Sequence, residues 1–189
     1  MTPAIVRPAD ANEVSVAWHE MLSRHAGPTG IALTRQSVPV FARGEGAAEG
    51  DTFASAEGVR RGAYVLAESP TGTVDVILVA TGSEVQLAVT AREQLAADGI
   101  GARVVSSPCL EWFAEQTPEY RESVLPAAVT ARVSVEAGIA LGWREIVGDR
   151  GRSVSIEHFG ASADAETLFR EFGVTTEAVV AAAKNSLAA

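Results

Sequence analysis

From residue 64 onward, short runs of β-branched residues alternate with segments of helical period. This alternation constrains the fold more than any other feature of the chain. Strand signals fall at 74–80, 102–106, 131–135 and 153–157, and Tyr64-Val65-Leu66 adds a short edge strand. Helical patterns lie near 84–98, 111–116, 119–125 and 142–148, and two more close the chain at 163–172 and 176–187. Strands separated by helices pair in parallel, because each crossover returns the chain to the same end of the sheet. The expectation is an α/β fold over residues 63–189: three α/β/α layers around a mostly parallel five-stranded sheet. The last helix, with Val179, Val180, Ala183 and Leu187 inward, is alanine-rich and able to pack closely.

The first 36 residues repeat the pattern on a smaller scale. Ala4-Ile5-Val6 is a brief strand, and Arg7-Pro8-Ala9-Asp10 turns the chain. Asp10 is placed to cap a helix, with Glu13 three residues on in capping-box position. Val14, Ala17, Trp18, Met21, Leu22 and His25 then fall on one wide apolar helix face. Gly27-Pro28 ends the helix, and Gly30 to Thr34 reads as a second strand, completing a βαβ unit. Two strands and one helix cannot bury both faces of their sheet. Residues 1–36 are therefore expected to be the remnant of a second α/β domain. Its Val14/Trp18/Met21/Leu22 face is expected to be covered by another chain or to form an exposed apolar patch. Residues 37–62, rich in Gly, Ala, Glu and Ser without a sustained period, read as an interdomain linker.

Charge narrows the partners. Fifteen Lys and Arg against 24 Asp and Glu give a net charge of -9, which argues against nucleic acid or an anionic membrane as a partner. A single cysteine, Cys109, excludes an internal disulfide and any multi-cysteine metal site. No apolar run approaches the roughly 20 residues of a membrane span, and the first residues lack a signal-peptide pattern. A soluble cytoplasmic protein is the expectation.

Several stretches invite a chemical reading. "ILVATGSEVQLAV", residues 77–89, ends a strand in Thr81-Gly82-Ser83 and starts a helix, as phosphate-binding turns do. A dinucleotide fingerprint needs three glycines and a P-loop two plus a lysine, whereas this turn has Gly82 alone. Ser83 and Gln86 are spaced as a capping box, and Glu84 stabilises the helix dipole by about 0.3–1 kcal/mol while repelling an anion. Structural capping is the preferred reading. Strand carboxyl ends, where open α/β sheets hold ligands, bring Ser106-Ser107-Pro108-Cys109, Glu136-Ala137-Gly138 and Glu157-His158-Phe159-Gly160. Glu136 with His158 would serve as an acid–base pair; a histidine merely held by a carboxylate is commoner. Cys109 has no base beside it and reads as core filler or a passive thiol. His19 and His25, six apart, do not share a helix face, so a histidine metal site is not expected. Arg35 follows the second strand with Gln36 beside it, and its guanidinium suits either an anion clamp or a surface ion pair.

"RPADANE" at 7–13, "LTRQ" at 33–36, "ATGSEV" at 80–85, "YRESVLP" at 120–126, "TARVSVEAG" at 130–138 and "FGASA" at 159–163 occur in a characteristic order and spacing. Together they resemble the C-terminal part of transketolase. Related thiamine enzymes, the 2-oxoacid dehydrogenase β subunits and deoxyxylulose-phosphate synthase, share the domain plan, but "YRESVLP" and "FGASA" are closer to transketolase. The resemblance implies an enzyme of the pentose phosphate pathway that uses thiamine diphosphate with Mg2+ or Ca2+. It would move a two-carbon ketol unit from a ketose phosphate to an aldose phosphate, and act as a homodimer. It makes residues 1–36 the end of the pyrimidine-binding domain and 63–189 the C-terminal domain. It also implies that Arg35, in the family's Ser-Arg-Gln stretch with Thr34 in place of the usual serine, binds the substrate phosphate. The diphosphate-binding Gly-Asp-Gly…Asn motif and the pyrimidine domain's activating glutamate are absent, so this chain alone is expected to be inactive and to bind no cofactor.

Three functions follow: the C-terminal portion of a transketolase, a free-standing module that pairs with a separate thiamine-binding chain, or an α/β domain with its own regulatory ligand at Ser106, Glu136 and His158.

Overall fold

The computed structural model describes residues 3–44 and 53–189. Strand β1 (Ala4–Val6), helix α1 (Ala11–Ser23) and strand β2 (Thr29–Ile31) form the expected βαβ unit, with β1 and β2 parallel and Ile5 opposite Gly30. Asp10 caps α1 by accepting the Glu13 amide at 2.9 Å. The Glu13 carboxylate turns back to the Ala9 amide at 2.8 Å, one residue before the usual capping-box donor. Of the apolar stripe on α1, Ala17 is buried, whereas Trp18 and Leu22 are exposed by 47% and 73%. α1 packs instead through Glu13 and Ala17 toward a short 3₁₀ turn, Ala56–Arg61. β2 ends at Ile31, so the expected strand through Thr34 is shorter and Arg35 sits on a loop rather than directly at a strand end.

Part of the stretch expected as a linker, residues 45–52, lies outside the described residues. On either side of it the chain is packed. The Phe41 and Phe53 rings lie 4.9 Å apart, Arg43 pairs with Phe53 as an isolated bridge, and Val59 is fully buried.

The larger sheet contains β3 (Tyr64–Ala67), β4 (Val76–Ala80), β5 (Ala102–Ser106), β6 (Arg132–Val135) and β7 (Arg152–Val154), in the order β3-β5-β4-β6-β7. Only β3, at the edge, is antiparallel. β7 is three residues long where 153–157 reads as a strand; beyond it the Glu157 carboxylate accepts from Ser155 Oγ and the Ala140 amide.

The helices are α2 (Val85–Ala97), α3 (Leu110–Ala114), α4 (Pro118–Val124), α5 (Arg144–Val147), α6 (Ala165–Glu171) and α7 (Thr176–Leu187). Alternation along β4 sorts them into two layers. Val76, Leu78 and Ala80 face α2 (Val85, Ala88, Leu95) and α7 (Val179, Ala183). Ile77 and Val79 face Phe113 of α3, Val124 of α4 and Trp143 just before α5. All five residues of β4 are buried, as a central strand covered on both sides requires. The small unit is not separate from this core: Val6, Ala9 and Ala17 belong to the same apolar cluster as Leu78 and Val104. No helix among the described residues is long and apolar enough to cross a membrane.

Candidate functional site

The strand order places the first parallel strand, β4, between β5 and β6, so the chain leaves β4 to one side and returns on the other. The crevice at the carboxyl ends of β4 and β6 is where doubly wound sheets hold ligands. In this molecule Arg7, at the end of β1, occupies it. Its backbone N–H donates to Pro108 O beyond β5 at 2.7 Å, and its carbonyl accepts the Gly82 amide beyond β4 at 3.0 Å. Its guanidinium donates to Glu136 beyond β6 and to Glu84 in the β4–α2 turn, the latter at 3.3 Å. Trp143 Nε1 donates to the second oxygen of Glu136 at 2.6 Å. One residue of the small unit thus bonds to the ends of three parallel strands.

The β4–α2 turn is built for this contact. Gly82 has φ +60, a region that favours glycine, and its open face lies about a van der Waals distance from the Arg7 side chain, 3.5 Å from Nε for a Cβ placed there. A 3₁₀ turn, Gly82–Glu84, precedes α2. The capping box expected of Ser83 and Gln86 does not form. Ser83 Oγ donates to Glu84 Oε1 at 2.6 Å, and Gln86 Nε2 donates to the Ser83 carbonyl at 2.9 Å. The hydroxyl proton goes to the nearer, stronger acceptor, an adjacent carboxylate, and the oxygen accepts no helix N–H. Glu84 is 1% exposed; burial pushes its carboxyl above the ordinary value, against the opposing pull of Ser83 and Arg7.

A second polar knot lies deeper. Glu13 Oε1 accepts from Tyr64 Oη at 2.6 Å and from Ser106 Oγ at 2.7 Å. Arg43 bonds Asp10 Oδ2 at 3.1 Å and stands 3.6 Å from Glu13. Ser106 and Glu136, two of the three residues considered for a regulatory ligand, therefore hold the small unit to the large sheet. The third, His158, is exposed, bonds Phe159 O through Nδ1 at 2.8 Å and packs edge-on against Phe172. Glu136 and His158 share no hydrogen bond among the described residues, which removes the acid–base pair. Cys109 is buried, with its thiol pushed up to about 12, first by burial and further by Glu111, so it is protonated and passive at neutral pH.

Arg35 is exposed and lines a cleft of about 260 Å³ between the units, together with Arg7, Gln36, Ser83, Glu84 and Phe169. Among the described residues no carboxylate pairs with it, and Glu84, in the same cleft, is engaged by Arg7. Gln36 reaches across the cleft, its Nε2 donating to Ser83 Oγ at 3.1 Å. Sequence reasoning missed Arg7 and Gln36. Arg7 carries the same signal as Arg35, a position at the end of a strand, but Arg-Pro in the sequence marks only a turn.

The fold and site define an α/β domain whose crevice at the strand carboxyl ends is occupied by an arginine of the preceding segment. The particular family follows from comparison. Residues 62–175 match the transketolase-like TK C-terminal domain, and the chain belongs to that family. It is 57% identical to the transketolase of Mycobacterium leprae over 97% of its length and 26% of that relative's. Transketolase from Leishmania mexicana superposes with a TM-score of 0.85 at 39% identity, over 98% of this chain and 25% of that one. The Pichia stipitis transketolase complex with sedoheptulose-7-phosphate gives 0.82 at 37%, over 98% and 25%. The chain is similar to transketolase throughout and spans about a quarter of the length of these relatives.

Proposed function

We propose that the chain serves as the C-terminal portion of a transketolase and contributes Arg35 as a ligand for the phosphate of a sugar-phosphate substrate. The observation that carries this reading is the state of Arg35: a guanidinium in an interunit cleft, beside a second arginine, with no carboxylate partner among the described residues. A planar fork of donors left unpaired suits a phosphate, which accepts two parallel bonds. The similarity to a transketolase solved with a sugar phosphate supports the same ligand class.

The complete enzyme in this proposal is a cytoplasmic homodimer of the pentose phosphate pathway, transferring ketol units between sugar phosphates. Thiamine diphosphate with Mg2+ or Ca2+ supplies its carbon–carbon bond chemistry. The described residues do not fit that cofactor. The crevice suited to a diphosphate carries Glu84 and Glu136, already joined to Arg7, and no group of three His, Cys, Asp or Glu side chains converges for a cation among the described residues. This chain's part is to hold the phosphate end of the substrate and to pack against the rest of the enzyme.

The test is Arg35→Ala in the complete transketolase. A charge-assisted contact is worth about 1.5–3 kcal/mol, or roughly 10- to 150-fold, and that loss is expected in KM for phosphorylated sugars with kcat changed much less. An unchanged KM would remove the proposal. A second reading, a module serving a separate thiamine-binding chain, is equally compatible with the exposed Trp18 and Leu22 on α1, which form an apolar surface suited to further polypeptide.

A further inference from the structure

The loop that carries Arg35 is fixed by a hydrogen-bonded chain that begins in the C-terminal domain. Residues 32–36 belong to no strand or helix, and 32–35 are exposed. The Ala32 amide donates to Val6 O at 2.9 Å at the start of this loop, and Gln36 ties its far end across the cleft. Its amide oxygen accepts from the Thr34 hydroxyl on the other side of Arg35, and its Nε2 donates to Ser83 Oγ. Ser83 in turn donates to Glu84 Oε1, Glu84 Oε2 accepts from Arg7, and Arg7 donates to Glu136, which Trp143 also holds.

The polarity of this chain is determined by proton count. A serine hydroxyl has one proton. Ser83 spends it on Glu84, so only lone pairs face Gln36, which must present its NH2 to Ser83 and its oxygen to Thr34. Both neighbours of Arg35 are thereby tied to one buried carboxylate, and threonine serves as well as serine at position 34 because only a hydroxyl donor is needed.

We infer that Gln36 and Ser83 are positioning residues that hold the Arg35 guanidinium ready for phosphate. The inference deepens the proposed function and rests on that reading of Arg35. It gives the β4–α2 turn a role in substrate binding without contact with the substrate. Loss of either link releases the loop, so that phosphate must order it on binding, and affinity falls without any donor to the phosphate being removed.

The experiment compares the wild-type chain with Ser83→Ala, Ser83→Thr, Gln36→Ala and Arg35→Ala. Two readouts are taken: 15N relaxation of the amides at 33–37, and binding of inorganic phosphate and of ribose 5-phosphate. Ser83→Ala and Gln36→Ala are expected to lower the order parameters at 33–37 from rigid values near ~0.85 to below ~0.6. They are expected to weaken binding of both probes by about 3- to 10-fold, the cost of ordering a few released side chains, with Ser83→Thr restoring both. Should Ser83→Ala fail to fold, Gln36→Ala decides alone, because Gln36 is half-buried and outside the core. Unchanged order at 33–37 in these variants overturns the positioning role, whatever phosphate does. Arg35→Ala is expected to abolish the phosphate response while the loop stays ordered. A wild-type chain that ignores both probes, or an Arg35→Ala chain that binds them as well as wild type, overturns the phosphate-site reading instead, and loop order still judges the positioning role.

Discussion

Tyr64 Oη and Glu13 Oε1, 51 residues apart in the chain, meet at 2.6 Å where the small βαβ unit and the large sheet share their core. Tyr64 is 4% exposed and Glu13 is fully buried. Burial, and then the adjacent Glu13 carboxylate, pushes the tyrosine hydroxyl far above its ordinary titration range, so it stays a donor. The pair is one of the bonds that make two sequence segments a single folded body.

Breaking it from either side has unequal cost. Tyr64→Phe removes one of several donors to Glu13, with Ser106 and the Ala9 amide remaining, and is expected to destabilise the chain by about 1–2 kcal/mol. Glu13→Ala leaves those three donors without their acceptor and removes one of the two carboxylates beside Arg43, and is expected to cost about 3–5 kcal/mol. Urea denaturation of the two variants measures the order, and equal losses would contradict it.

Glu84 imposes a pH dependence of known sign. Burial raises its folded-state pKa above the ordinary 4.5, so between the unfolded and folded values the native state binds more protons than the unfolded one. Stability from this group is full below the unfolded value and is lost as pH rises through the folded value. Glu84→Gln lacks that dependence. The stability advantage of wild type over Glu84→Gln is expected to shrink as pH rises above the ordinary carboxylate value, as followed by urea midpoints at increasing pH. A growing advantage would reverse the reading.

Cys109 is expected to be chemically silent. It is 1% exposed and its thiol is pushed up to about 12, so a thiol-specific reagent at pH 7 to 8 should leave the native chain unlabelled and label it stoichiometrically in denaturant. Rapid labelling of the native state would show that the segment around α3 opens.

Gly82→Ala tests what the glycine is for. Its φ of +60 is strained for any side chain, while the nearest Arg7 atom allows ordinary contact. The expected cost is about 1–2 kcal/mol of conformational strain, without loss of the fold or of binding at Arg35. A variant of wild-type stability would show that the backbone there relaxes freely.

The central sheet was legible because its determinants are local. The run Val76–Ala80 is hydrophobic on both faces, and β5 falls where its β-branched residues put it. Asp10 as the cap of α1 was equally legible, since donor and acceptor are three residues apart. The site was not. Arg7 finds its carboxylates 77 and 129 residues away, and no local pattern marks such partners. Ser83 carried the right spacing for a capping box, but a neighbouring carboxylate competes for its proton and Gln36, 47 residues earlier, uses its lone pair. Glu136 and His158 looked like partners only because both follow strands. The strands set which loops share an edge, and tertiary charge pairing decides which side chains meet.

The reach of Arg7 also bears on where this domain can be cut. The stretch that matches the family, residues 62–175, contains Glu84 and Glu136 but neither Arg7 nor α7. Excised at those limits, it would keep two carboxylates converging on one crevice with their counter-ion gone, and would lose the α7 residues Val179 and Ala183 from one face of the sheet. The unit that sequence similarity delimits is therefore shorter, at both ends, than the unit that balances its own charge.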